Sequence, residues 1–131
     1  METTKRYFYG KDDKLKSRKL IEKLFKEGKS FSSFPFKAIW LTENPFATLQ
    51  AGVGVSSRNF KKATDRNRVK RLMREAYRLQ KGGLSKALEV KNKRLSLFIM
   101  YTGRELPDYN TASEKISGIL KKLIKLIDEN D

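Results

Sequence analysis

The chain has no cysteine and no histidine in 131 residues. Without cysteine there is no disulfide framework, no thiolate nucleophile and no Cys-based zinc site, a composition that suits a reducing compartment. Without histidine the commonest general acid and base is gone, and a Ser/His/Asp arrangement is excluded. Carboxylates are scarce too, 15 Asp+Glu against 30 Lys+Arg. The two most strand-like runs, 47–57 and 94–103, contain none, so the acidic cluster that a metal-dependent nuclease needs is not expected. No apolar run approaches the ~18 residues of a membrane span. The opening METTKRYFYGKDDK lacks the apolar stretch of a secretory signal. These absences argue against a stand-alone nuclease and make the cytoplasm the expected location.

What is abundant is positive charge. A net +15 costs folding energy through self-repulsion unless a polyanion relieves it, so nucleic acid or an anionic membrane is the expected partner. The length suits one domain, residues 1–131, that buries roughly two thirds of its unfolded surface. Residues 1–14, charged and without a sustained period, read as a flexible N-terminal arm.

From Ser17, SRKLIEKLFKEG opens on a capping-type serine, places Leu20, Ile21, Leu24 and Phe25 on one side and closes on Gly28, the pattern of a short amphipathic helix. SFSSFPFKAIWLTENP reads as extended, with a turn at Asn44-Pro45 and incomplete pairing near Pro35. Within it Phe36, Ala38 and Trp40 form a core face, and Lys37, Ile39 and Leu41 a more open one. ATLQAGVGVSS predicts a strand with Leu49, Ala51, Val53 and Val55 on one side and Gln50, Gly52, Gly54 and Ser56 on the other. The glycines permit close approach, either of a packed helix or of a ligand. The short gap between these two strands fits a hairpin. KGGLSKALEVKNK reads as a loop with some helical content, and RLSLFIMYTG as a buried strand. Thr111 and Glu114 have capping-box spacing, and Ile116, Ile119, Leu120, Leu123 and Ile127 then mark a core-facing helix.

Between the last two strands, residues 58–81 carry ten cations and two anions, +8 of the total +15. On a helical wheel Val69, Leu72, Met73, Ala76, Leu79 and Gln80 share one arc, while Arg66, Asn67, Lys70, Arg71, Arg74, Arg78 and Lys81 lie opposite. Asp65 is placed to cap the helix, and Glu75 to pair with Arg71. Arg66 and Arg68 stand at the helix N-terminus, where cations oppose the macrodipole, and this points to an external anion. A merely solvated face would mix the two signs, so phosphate is the expected target. The segment before this helix reads as strand and loop, which argues against a helix-turn-helix DNA reader. Its apolar side is needed for the core, which argues against a membrane-surface helix.

The string DRNRVKRLMREAYR, with GVGVSSRNFKKAT just before it, resembles the protein component of bacterial ribonuclease P, and the order of elements fits that family over about residues 15–127. The order of elements reads as an α+β two-layer sandwich, a small mixed sheet of about four strands with three helices in the order α-β-β-β-α-β-α; the resemblance implies a left-handed β-α-β crossover. It implies the protein subunit of an endoribonuclease that removes the 5′ leader of precursor tRNA, with hydrolysis and Mg2+ carried mainly by the catalytic RNA and the protein inactive alone. The implied partners are that RNA and the leader; no membrane, DNA or protein partner is expected, and the residues themselves suggest no catalytic or metal-ligating group. Carried over by motif, Arg66, Asn67, Arg68, Lys70, Arg71 and Arg74 would face the catalytic RNA. Ser56, Ser57, Arg58, Asn59, Lys61 and Lys62 match the family's basic loop, with Ser57 where a lysine is frequent. Ile21, Phe25, Lys37 and Ile39 stand where the family binds the leader; for Ile21 and Phe25, burial in the core is the competing expectation. A ribosomal or ribosome-assembly RNA-binding protein is the alternative.

Overall fold

The computed structural model describes residues 13–129, so the expectation for the arm at 1–14 lies almost wholly outside the described residues. Its last two residues are docked, Asp13 by an ion pair with Lys81 at 3.7 Å. Lys14 bridges to Ala51, and the Leu15 N–H donates to the Ala51 carbonyl at 3.1 Å.

Helix α1 (Arg18–Glu27) begins as read, with the Ser17 hydroxyl accepting from the Leu20 N–H at 3.2 Å, and ends at Gly28. The extended segment that follows is two strands, β1 (Lys29–Ser33) and β2 (Phe36–Leu41), paired antiparallel around a Phe34–Pro35 turn whose peptide is cis. Strand β3 (Leu49–Val55) leads into α2 (Ala63–Gln80), α3 (Gly82–Lys91), β4 (Leu95–Tyr101) and α4 (Tyr109–Glu129).

The sheet order is β1-β2-β4-β3, with β2 antiparallel and β3 parallel to β4. The hairpin expected between β2 and β3 is therefore absent: β4 lies between them. The 42–48 connection instead holds a buried Asn44, whose Oδ1 accepts from the N–H groups of Phe46 (2.8 Å) and Ala47 (3.0 Å). Its Nδ2 donates to Ser96 Oγ on β4 at 3.0 Å, so this loop is built to receive a strand from elsewhere in the chain.

Phe36, Ala38, Trp40, Leu49, Ala51, Leu95, Leu97, Ile99 and Tyr101 line the core face of the sheet, where they meet α2, α3 and α4. The stripe on α4 is buried as read, Ile116, Ile119, Leu120, Leu123 and Ile127 included. The opposite face carries a smaller cluster, Leu15, Leu20, Leu24 and Ile39.

Several local expectations are revised. The segment after α2 is helical over ten residues because Leu84 and Leu88 are fully buried, and Asn92 ends it in the left-handed region (φ 53°). Helix α2 starts earlier than read, with Lys62 rather than Asp65 at its N-cap and no side-chain cap. Asp65 sits within the first turn, where a carboxylate favours the dipole. The buried arc of α2 is Val69, Met73, Ala76 and Tyr77; Leu79 is exposed, since the helix is rotated toward Tyr77 on the core. Glu75 pairs with Arg78 at 2.7 Å, not with Arg71. Asp108, not a Thr111/Glu114 box, starts α4: its Oδ1 accepts from the Thr111 N–H at 2.7 Å.

Candidate nucleic-acid interface

Burial of Val69, Met73, Ala76 and Tyr77 fixes the rotation of α2 and so decides which cations reach solvent. Asn67, Arg68, Arg71 and Arg74 are exposed and Lys70 is half-buried. Among the described residues, no ion pair joins Arg68, Lys70, Arg71 or Arg74 to a carboxylate. Glu75, the carboxylate on that stretch of helix, is engaged by Arg78, whose hydrogen bonds hold Glu75 below the usual carboxylate range. The exposed face therefore has a net positive field at short range.

Arg66 behaves differently from its neighbours. Its guanidinium turns back to donate to the carbonyls of Phe60 (2.8 Å) and Lys61 (2.9 Å), clasping the end of the loop to the first turn of the helix. This contact stands where a side-chain cap is missing.

The basic loop is a turn pinned at both ends. The Asn59 and Phe60 N–H groups donate to the Ser56 carbonyl at 3.2 and 3.1 Å, and the Arg58 N–H to Ser56 Oγ at 3.2 Å. Phe60 is buried against Tyr101, with ring centroids 6.0 Å apart. Ser57, Arg58, Lys61 and Lys62 are left on the outside. Asn59 donates to the carbonyls of Thr102 and Gly103, at 3.2 and 3.3 Å, so the loop is tied to the end of β4.

A second surface lies on the open face of the sheet. Phe25 is 47% exposed and meets Phe98 of β4 edge to face at 5.1 Å. The Phe98 ring lies over β3, where a Cβ on Gly52 would come to 3.0 Å from it and one on Gly54 to 2.9 Å. The close approach permitted by these glycines is thus taken by a neighbouring strand's aromatic ring. Lys37, exposed, pairs in register with half-buried Met100. Ile21 is half-buried, whereas Ile39 is only 8% exposed and packs in the cluster beneath α1.

The structure sets Ile21 and, through Phe98, Phe25 against that cluster, sinks Ile39 into it, and places Lys37 one same-face position away along β2, opposite Met100. Sequence reasoning passed over Phe98 and Met100 because LSLFIMY was read as buried throughout. The signal was present: Leu95, Leu97, Ile99 and Tyr101 alternate with Ser96, Phe98 and Met100, which puts the latter three on the other face.

The two surfaces can bind phosphates and present aromatic or apolar side chains to a single strand. Among the described residues, no three of His, Cys, Asp and Glu come together as a metal-ligand set. No described helix is long and apolar enough to cross a membrane.

Comparison with known proteins places this arrangement. The sequence matches the Ribonuclease P family over residues 9–124. It is 35% identical over 118 residues to the ribonuclease P protein component of Porphyromonas gingivalis, covering 88% of this chain and 84% of that relative. The component from Thermotoga maritima is 32% identical over 114 residues, covering 85% and 92%. The solved RNase P protein of Thermotoga maritima superposes with a TM-score of 0.67 at 28% identity, over 83% of this chain and 96% of that one. The Staphylococcus aureus RNase P protein, 17% identical with a TM-score of 0.69 over 86% and 96% of the two chains, shares the fold.

Proposed function

The chain belongs to the bacterial ribonuclease P protein family, whose members are subunits of an endoribonuclease, and on that premise we propose how its surfaces divide the work. The cationic face of α2, through Asn67, Arg68, Lys70, Arg71 and Arg74, binds the catalytic RNA together with Arg58, Lys61 and Lys62 of the loop. Arg66 and Asn59 hold that loop in shape by donating to backbone carbonyls. The strip on the open face, Phe25, Ile21, Lys37, Phe98 and Met100, receives the 5′ leader of precursor tRNA. The observation that carries this reading is the row of α2 cations that no described carboxylate pairs.

In this reading the protein positions and neutralises. Cations on α2 offset the repulsion between two polyanions, and the leader strip fixes where the precursor enters. Mg2+ does not fit a site on the described residues, which bring no set of three carboxylates together, so we assign the ion to the RNA subunit and route no protein step through it. The working compartment is the cytoplasm, where precursor and RNA subunit meet.

The test is cleavage of a leader-bearing precursor tRNA by a bacterial ribonuclease P RNA at low magnesium, with and without the protein, beside a protein-only control. Activity that needs both components supports the proposal. Tight RNA binding without any gain in cleavage would transfer the chain to the ribosome-assembly reading.

A further inference from the structure

Phe34 stands at the turn between β1 and β2 with 74% of its surface exposed. Single exposed hydrophobic residues are ordinary, but this one belongs to a turn fastened to the basic loop. The Pro35 carbonyl accepts from the Thr102 N–H at 2.7 Å and from the Thr102 hydroxyl at 3.0 Å. A Cβ on Gly103 would lie 3.1 Å from Pro35 Cβ and 2.5 Å from the Tyr101 hydroxyl oxygen, so the turn is packed directly on the end of β4. Asn59 grips the same stretch from the other side through the Thr102 and Gly103 carbonyls. Turn, strand end and basic loop therefore form one braced unit.

That unit gathers charge of one sign. Residues 33–37, 56–62 and 101–105 include Lys37, Arg58, Lys61, Lys62 and Arg104, all exposed, and one carboxylate, Glu105. Lys37 also begins the open face of the sheet, opposite Met100, so the unit joins the loop cations to the leader strip. An exposed aromatic ring on a braced turn, joined to a loop rich in cations, is a combination that binds an unpaired nucleotide: the ring takes a base face and the cations take the flanking phosphates.

We propose that Phe34 is a stacking platform for an unpaired RNA nucleotide, with Arg58, Lys61 and Arg104 on its flanking phosphates. The platform makes the basic loop and the open face one continuous single-strand track. It rests on the RNA-binding reading above and adds to it a contact point outside α2 and outside the leader strip. The nucleotide can come from the leader or from an unpaired stretch of the catalytic RNA; the chemistry is shared.

The experiment uses Phe34→Trp as a reporter against the constant background of Trp40, which is 6% exposed. The full-length protein is titrated with catalytic RNA alone, and its complex with that RNA is titrated with precursor tRNA bearing a leader and with leaderless tRNA. Quenching by catalytic RNA alone assigns the nucleotide to that RNA; quenching that needs the leader-bearing precursor assigns it to the leader. No quenching in any arm overturns the proposal. Phe34→Ala and Phe34→Leu should weaken binding of the quenching RNA by about five- to hundred-fold, while Phe34→Tyr and Phe34→Trp retain it within about three-fold, because stacking needs a π-face. Full affinity in Phe34→Leu, or self-association of the free protein that Phe34→Ala abolishes in sedimentation, would make Phe34 an apolar contact and sink the stacking role. If Phe34→Ala binds normally while Lys70→Ala/Arg74→Ala is impaired, the platform falls and the α2 interface stands. If both bind normally, the interface reading falls as well.

Discussion

The two faces of one four-stranded sheet are covered very differently. On the first, α2, α3 and α4 bury Leu97, Ile99, Phe36 and Leu95 completely. On the second, a single ten-residue helix and Leu15 cover only part of the strands, and Phe25, Phe98, Met100 and Lys37 remain at its edge. The strands are the same, so the difference lies in the side chains that alternate along them. One face spends its apolar groups on stability, and the other leaves some of them partly open to solvent.

The contrast is sharpest in substitutions that remove mass from each side. Leu97→Ala on the covered face should destabilise by about 2–5 kcal/mol, because α2 and α4 cannot collapse into the space, and denaturant unfolding will read this. A loss below about 1 kcal/mol would mean the covered face is loosely packed. Lys70→Ala with Arg74→Ala should do the reverse, weakening RNA binding while leaving stability within about 1 kcal/mol. In the unmodified protein, if about six cations engage phosphates, log affinity should fall against log salt with a slope of roughly −4 to −5. A slope near zero would remove the electrostatic account.

Gly54→Ala probes the open face more gently. Its methyl would crowd the Phe98 ring and the Met100 sulfur, 2.9 and 3.1 Å away, and tilt the ring that meets Phe25. Affinity for leader-bearing precursor should drop while affinity for leaderless tRNA holds; an equal drop in both would mean that the ring does not touch the leader. The smallest effect is expected from acid. The Thr111 N–H keeps Asp108 below its ordinary 3.8, so its cap contributes fully above that value and is lost as pH falls through the depressed pKa. Asp108→Ala should therefore lower the melting temperature at neutral pH and converge with the wild type in acid. Parallel curves would show that the cap is not the titrating element.

How much of this was legible depended on whether a residue's neighbours lie near it in the chain. Ser17, Gly28 and the α4 stripe were readable because caps and helical periodicity are local. Charge on α2 was readable for the same reason. The insertion of β4 between β2 and β3 was not, since nothing within residues 36–57 says that Ser96 will fill the partner position to Asn44. Phe98 was hidden by an apolar run that serves both faces, and Arg66 by a contact with backbone carbonyls that has no sequence signature. Ile39 shows the converse: its alternation placed it correctly on the open face, but only the position of α1 determines that it is covered there.

The central place of β4 also sets an order of events. Residues 95–101 are the last strand to leave the ribosome, yet β2 and β3 have no shared edge until they arrive. During synthesis the cationic helix therefore emerges after β1, β2 and β3 but before β4, the strand that joins them into the sheet holding its apolar side. Its charge is available to polyanions at a time when Val69, Met73 and Tyr77 still lack their platform. Such non-local pairing is slow to form and exposes apolar surface meanwhile. Until β4 arrives, the chain's own excess of positive charge is what opposes association through that apolar surface.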